Sequence, residues 1–162
     1  MGMICEIYLV PPDKAHSLTA NPSGVHALLS ELQGSEQVIS LEKSWHGLHF
    51  VLTGTAWEGH PPLNFIAGGG VPLGDEDVGY GPARLLAAPD VRTLDAALDG
   101  IPDSEFLRRF DPAGLAEADI YPQIWDEPLE DLQQEFARYF SDLKSHVKRA
   151  AKSGQALMIA IM

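Results

Sequence analysis

A chain of 162 residues with 45% hydrophobic and 21% charged side chains has the size and composition of one ordinary globular domain, able to bury roughly 70% of its unfolded surface without disulfides or metal. Its formal net charge of −12, from 23 acidic against 11 basic side chains, repels phosphate backbones and anionic membranes, and no apolar run approaches the ~20 residues that cross a bilayer, so neither nucleic acid nor a membrane is an expected partner. The single cysteine, Cys5, closes no internal disulfide, and with no export signal read in the first residues the expected compartment is the cytosol.

Residues 3–10, MICEIYLV, mix β-branched and aromatic types and stop at Pro11-Pro12, which predicts a strand buried on at least one face. Residues 13–20 form a short helix ended by Asn21-Pro22, because the residue before a proline is pushed out of helical geometry. A second helix starts at Ser23: Val25, Leu28, Leu29 and Leu32 make one apolar stripe, and Gly34 stops it. Residues 36–40 read equally as a turn or a short extended piece.

The fold is expected to pack around residues 42–55, EKSWHGLHFVLTGT. Trp45, Leu48, His49 and Leu52 fall at i, i+3, i+4 and i+7, a helix over about 42–53 with Gly54 at its left-handed cap. Gly47 in its middle costs about 1 kcal/mol relative to alanine, so a second backbone is expected to pack closely there. Residues 59–84 hold seven glycines and four prolines and predict a short helix at 63–67, then a long ordered loop lying on the core, with Arg84, Leu85 and Leu86 as a brief strand at its exit.

Three proline-started helices follow, at Pro89-Asp90 with Val91, Leu94, Leu98 and Ile101 inward, at Pro102-Asp103 with Phe106, Leu107 and Phe110, and at Asp111-Pro112 with Leu115. Residues 119–126, DIYPQIWD, make an irregular link that places Tyr121 and Trp125 near one another. The longest helix spans 128–152, with Leu129, Leu132, Phe136, Tyr139, Phe140, Leu143 and Val147 in a 3–4 rhythm and Gly154 as its cap. The final QALMIAIM is a strand expected to pair with residues 3–10. The fold class is therefore α+β: a single domain over 1–162, with a small central mixed or antiparallel sheet that includes the N- and C-terminal strands, surrounded by helices.

No complete catalytic or cofactor motif stands out. His46 and His49 are three apart on a helix, but a zinc site needs three or four ligands and no HExxH helix is present, so His49 is expected hydrogen-bonded at the core edge and His46 near the surface, with no metal and no cofactor. Asp75, Glu76 and Asp77 lack EF-hand spacing, and the GGG at 68–70 lacks the lysine of a phosphate loop. Cys5 reads as a buried inert thiol, and Ser44 and Thr53 as capping or core-edge hydroxyls. Lys144, Lys148, Arg149 and Lys152 are the cations that the dipole of a helix C-terminus favours; the alternative reading is an anion-binding face.

One polar-aromatic set remains: Trp45, His49, Thr53, Tyr80, Arg84, Tyr121, Trp125 and Asp126. If the long loop and the 119–126 link both fold over the central helix, these residues converge on one cleft; the competing reading is an aromatic core with satisfied polar tips.

Five stretches, the MGMI start, SWHGLHFVLTGT, LGDEDVGYGPARLL, DIYPQIWDE and the C-terminal GQALMIAIM, occur in the order found in the YfbM family, a bacterial domain of unknown function that this chain resembles over nearly its whole length. The resemblance implies a single-domain α+β fold and a bacterial cytosolic protein, and it brings no catalytic residues with it. The family's motif residues here are Trp45, His46, Leu48, His49, Thr53, Gly54, Gly79, Tyr80, Gly81, Pro82, Arg84, Tyr121, Pro122 and Trp125. Ala87-Ala88 departs from it, standing where a Thr-Pro type helix cap is expected.

Two functional readings follow. The first is a non-catalytic binding or protein-interaction domain, accessory or immunity-like, whose acidic surface engages a basic protein. The second is a small-molecule enzyme or ligand-binding protein with His49 as general acid-base and Arg84 holding an anionic group. The oligomeric state stays open.

Overall fold

The apolar residues at the two ends of the chain meet at its centre. In the computed structural model, which describes residues 2–162 and so leaves Met1 of the MGMI start outside the described residues, strand β1 (Cys5–Val10) pairs antiparallel with the last strand, β5 (Ala156–Ile161), from Cys5 opposite Ile161 to Val10 opposite Ala156. Between them in sequence come α1 (Pro12–Ala20), a single 3-10 turn (Pro22–Gly24), α2 (Val25–Leu32), β2 (Val38–Glu42), α3 (Trp45–Thr53), β3 (Val71–Pro72), β4 (Arg84–Leu86), α4 (Ala88–Asp99), α5 (Asp103–Arg109), α6 (Pro112–Glu117) and α7 (Leu129–Ser153). The sheet order is β2-β1-β5-β4-β3, and every pair is antiparallel. No helix among the described residues is long and apolar enough to cross a membrane.

Strand alternation divides the interior in two. Cys5, Ile7 and Leu9 of β1 with Leu157 and Ile159 of β5 join a large core with residues of α3, α4, α5, α6 and α7. Tyr8 and Val10 with Ala156, Met158 and Ala160 join a smaller one with Ala15, Leu18, Val25, Leu28 and Leu29 of α1 and α2. Helix α7 supplies Leu132, Phe136, Phe140, Leu143 and Val147 to the large core and ends at Gly154, whose φ of +67° is the left-handed cap. Leu129, the first residue of α7, stays 52% exposed, before the apolar stripe turns inward.

Four local expectations change. The ambiguous 36–40 stretch becomes edge strand β2, which runs to Glu42 (φ +48°) and delays the start of α3 to Trp45. The neighbour that excludes a side chain at Gly47 is a pair of rings: a Cβ there would stand 2.7 Å from the Phe136 ring and 3.0 Å from that of Trp125. The helix expected at 63–67 is a series of turns with isolated bonds from the Asn64 amide to the His60 carbonyl and from the Gly68 amide to the Asn64 carbonyl. Beyond it β3 forms at the sheet edge, the position in a sheet that tolerates the missing N–H of Pro72.

Candidate functional site

Helix α3 carries two histidines, and both are buried. The Tyr121 amide donates to His46 Nδ1 at 3.0 Å, so Nε2 bears the ring proton and donates to the Ala56 carbonyl at 2.8 Å. The ring stacks on Trp45, 5.0 Å away, and Trp57 lies tilted beside both, 4.3 Å from His46 and 6.0 Å from Trp45. Burial lowers its pKa, and the neutral tautomer ties α3 to both the 119–126 link and the segment after the helix. The surface position expected for His46 is thus corrected: the helical period turns it against Trp45 under the following loop.

His49 is sealed, at 0% exposure. Burial pushes its pKa down to about 4, with the charges of His46 and Arg84 adding to the shift and the Glu58 backbone opposing it, and neither ring nitrogen makes a well-formed hydrogen bond. The same i, i+4 spacing that sets His49 beside Trp45 in the pattern drives it into the core. A sealed imidazole reaches no solute, so the general acid-base role does not fit this structure.

Arg84, at the start of β4, lies under the long loop. One guanidinium nitrogen, Nη1, donates to the carbonyls of Phe65 at 2.9 Å and Gly69 at 2.5 Å, and Nη2 donates to the carbonyl of Ile66. Its fork is occupied by backbone, which removes it as a holder of an anionic substrate. Its effect is to set the loop in one conformation.

The other six members of the predicted set disperse. Trp45 Nε1 donates to the Met3 carbonyl and the Met3 amide donates to Tyr121 Oη, both at 3.0 Å, so these two rings bracket Met3. Thr53 Oγ1 donates to the His49 carbonyl at 2.8 Å, one turn back on α3. Trp125 Nε1 donates to the Ile120 carbonyl at 2.8 Å, and its ring packs on Phe110 and Phe136, in a different aromatic group from Tyr121. Tyr80 is 54% exposed, and Asp126 is exposed. None of the eight lines the hollow described next.

A cleft of about 330 Å³ is lined in part by Phe65 and Gly69, whose carbonyls Arg84 holds. Pro61, Pro62 and Val71 wall it on one side, Leu86, Asp90 and Thr93 on the other. Asn64 also lines it, and its Oδ1 is buried without a hydrogen-bond partner. Asp90 is the only charged residue of the lining. Thr93 Oγ1 donates to the Pro89 carbonyl at 3.2 Å, so no activated nucleophile faces the space. The GGG stretch shapes this wall: at Gly70, with φ +83°, a Cβ would stand 2.6 Å from the Leu85 carbonyl oxygen. Close backbone approach is what Gly69 and Gly70 permit, since a Cβ at Gly69 would likewise stand 2.5 Å from the Phe65 Cα. This wall was not among the sites expected from the sequence; the Pro-Pro pair at 61–62 and the triple glycine at 68–70 are the sequence signals that could have marked it.

A family model described as Domain of unknown function (DUF1877) matches residues 1–160. Among solved structures the chain is similar to that of YfbM from Escherichia coli, a protein of unknown function, with 25% sequence identity and a TM-score of 0.74 over 98% of this chain and 99% of that one. No functionally curated protein matches.

Proposed function

Starting from a chain that belongs to the family described as Domain of unknown function (DUF1877), which brings no activity with it, we propose that this protein is a non-catalytic binding domain whose cleft between the 61–71 loop and α4 accepts an apolar, basic side chain of a protein partner. The observation that carries the reading is the Arg84 anchor: it fixes one wall of the cleft from behind and leaves the interior without a cation. An apolar lining with Asp90 and the Asn64 carboxamide as its polar groups favours an apolar body ending in a donor or a positive charge, and disfavours a carboxylate or phosphate. The net charge of −12 supports presentation of that group by a basic protein, because long-range attraction speeds encounter.

Backbone amide shifts measured during titration test this. Phenethylamine is expected to shift the amides of Asn64, Val71 and Thr93 saturably, while 3-phenylpropionate of similar size does not. A peptide carrying aromatic and lysine residues binds more tightly than the free amine and weakens with salt. Val71→Arg, at an exposed rim position, abolishes both. Equal binding of the amine and the carboxylate would sink the reading, and a free amine that binds as well as the peptide would move it to a small-molecule ligand.

A further inference from the structure

Of the 11 basic side chains, Lys14, Arg108, Arg109, Lys144 and Lys148 pair with carboxylates, Arg84 is held by carbonyls, Arg138 lies over the Tyr139 ring, and Lys43 and Arg92, which pair with no carboxylate among the described residues, line neither of the hollows described below. Arg149 and Lys152, three apart near the end of α7, pair with no carboxylate among the described residues, and both line a hollow of about 590 Å³ with Gln37 and Gln155. Arg149 is pre-positioned by a 2.9 Å bond from Nη1 to the Glu36 carbonyl, which leaves its other donors free. These two cations are not needed to satisfy the end of the helix. The Gln155 amide caps the Ala150 carbonyl at 2.9 Å, and Ser153 Oγ donates to the Arg149 carbonyl at 2.7 Å.

Arg149 also lines a second hollow of about 300 Å³, with Ile39, Ser40, Asp142, Ser145 and His146. His146 is 2% exposed and its Nε2 lies 2.8 Å from the Ile7 carbonyl, so Nε2 carries the proton and Nδ1 presents a lone pair. That Nδ1 is buried and has no donor. The Asp142 carboxylate beside it repels a second negative charge and favours a donor. The groove about Arg149 is thus cationic at one end and acceptor-lined at the other.

We propose that this groove binds a small organic oxyanion, with its carboxylate or phosphate head on Arg149 and Lys152 and a hydrogen-bond donor on its body directed toward His146 and Asp142. On a protein of net charge −12, these two unpaired cations give such an ion a local place to bind.

Amide shifts of the full chain at low ionic strength, titrated with inorganic phosphate, succinate and O-phosphoserine, test it. Saturable shifts confined to residues 35–40 and 146–155 are expected, with O-phosphoserine tighter than phosphate because its ammonium supplies the donor. Saturation by phosphate or by succinate supports the proposal, and the tighter of the two identifies the headgroup. Lys152→Gln, at an exposed position, weakens binding roughly tenfold, whereas Lys43→Gln, outside the groove, leaves it unchanged. Shifts that sodium chloride reproduces at equal ionic strength, or an affinity that Lys152→Gln leaves intact, overturn it.

Discussion

The two faces of the sheet are built to different depths. On one, α3, α5 and α7 bring Trp45, Phe106, Phe136 and Phe140 into a thick core, and His46, His49 and His146 lie within or against it. On the other, two short helices lay mainly leucine, valine and alanine over Tyr8 and Met158, and the one buried polar tip, Tyr8 Oη, reaches the edge to bond Glu6 and Gln33. Depth decides what a titratable group can do. In the thick core His46 and His49 are held neutral and serve architecture, whereas His146, tied through Nε2 to the Ile7 carbonyl, borders the groove beside α7. The places open to a ligand lie outside it, in a loop-walled cleft and a groove beside α7.

Acid should expose this asymmetry most strongly. His49 and His146 have folded pKa values pushed down by burial to about 4, against 6.5 for the unfolded chain. Between those pH values the unfolded chain binds protons that the folded one refuses, so stability is fully present above pH ~6.5 and falls as the pH drops toward 4, by about 3 kcal/mol for each histidine. Urea unfolding at a series of pH values measures this; a midpoint unchanged from pH 7 to pH 4.5 would mean the thick core does not seal its imidazoles. Next in size is Phe136→Ala, which removes a fully buried ring from contact with Phe110 and Trp125 and should cost about 4 kcal/mol. Leu28→Ala on the thin face should cost about 2 kcal/mol, because α1 and α2 can settle into the space. Equal losses in the last two variants, read from their denaturation midpoints, would erase the distinction between the faces.

Much of the architecture is legible because it follows local rules. The terminal strands are β-branched runs bounded by proline and glycine, α4 begins with Pro89 in its first turn, and Gly54 and Gly154 mark left-handed caps. Ala87, at the position where the expected cap is missing, indeed makes no side-chain capping bond. The site was less legible, for physical reasons. A helical period shows that Trp45 and His49 share a buried face but not whether solvent reaches it. The acceptors of Arg84 are backbone carbonyls, which carry no side-chain signature. The rings over Gly47 arrive from residues 125 and 136, and the pairing of Lys144 and Lys148 but not Lys152 depends on acids of α4 and α5 that only packing brings near.

The pairing of β1 with β5 also bears on how the molecule forms. The two central strands come from opposite ends of the sequence, and residues 4 and 162 exchange both backbone hydrogen bonds beyond them. Such contacts carry the largest loop-closure penalty in the chain and raise its contact order, which slows folding. During synthesis β1 emerges first and can pair early only with β2, leaving its other edge, rich in Ile, Leu and Val, without a neighbour until the last strand leaves the ribosome. The nascent chain therefore carries an open sheet edge from the emergence of β1 until that of β5.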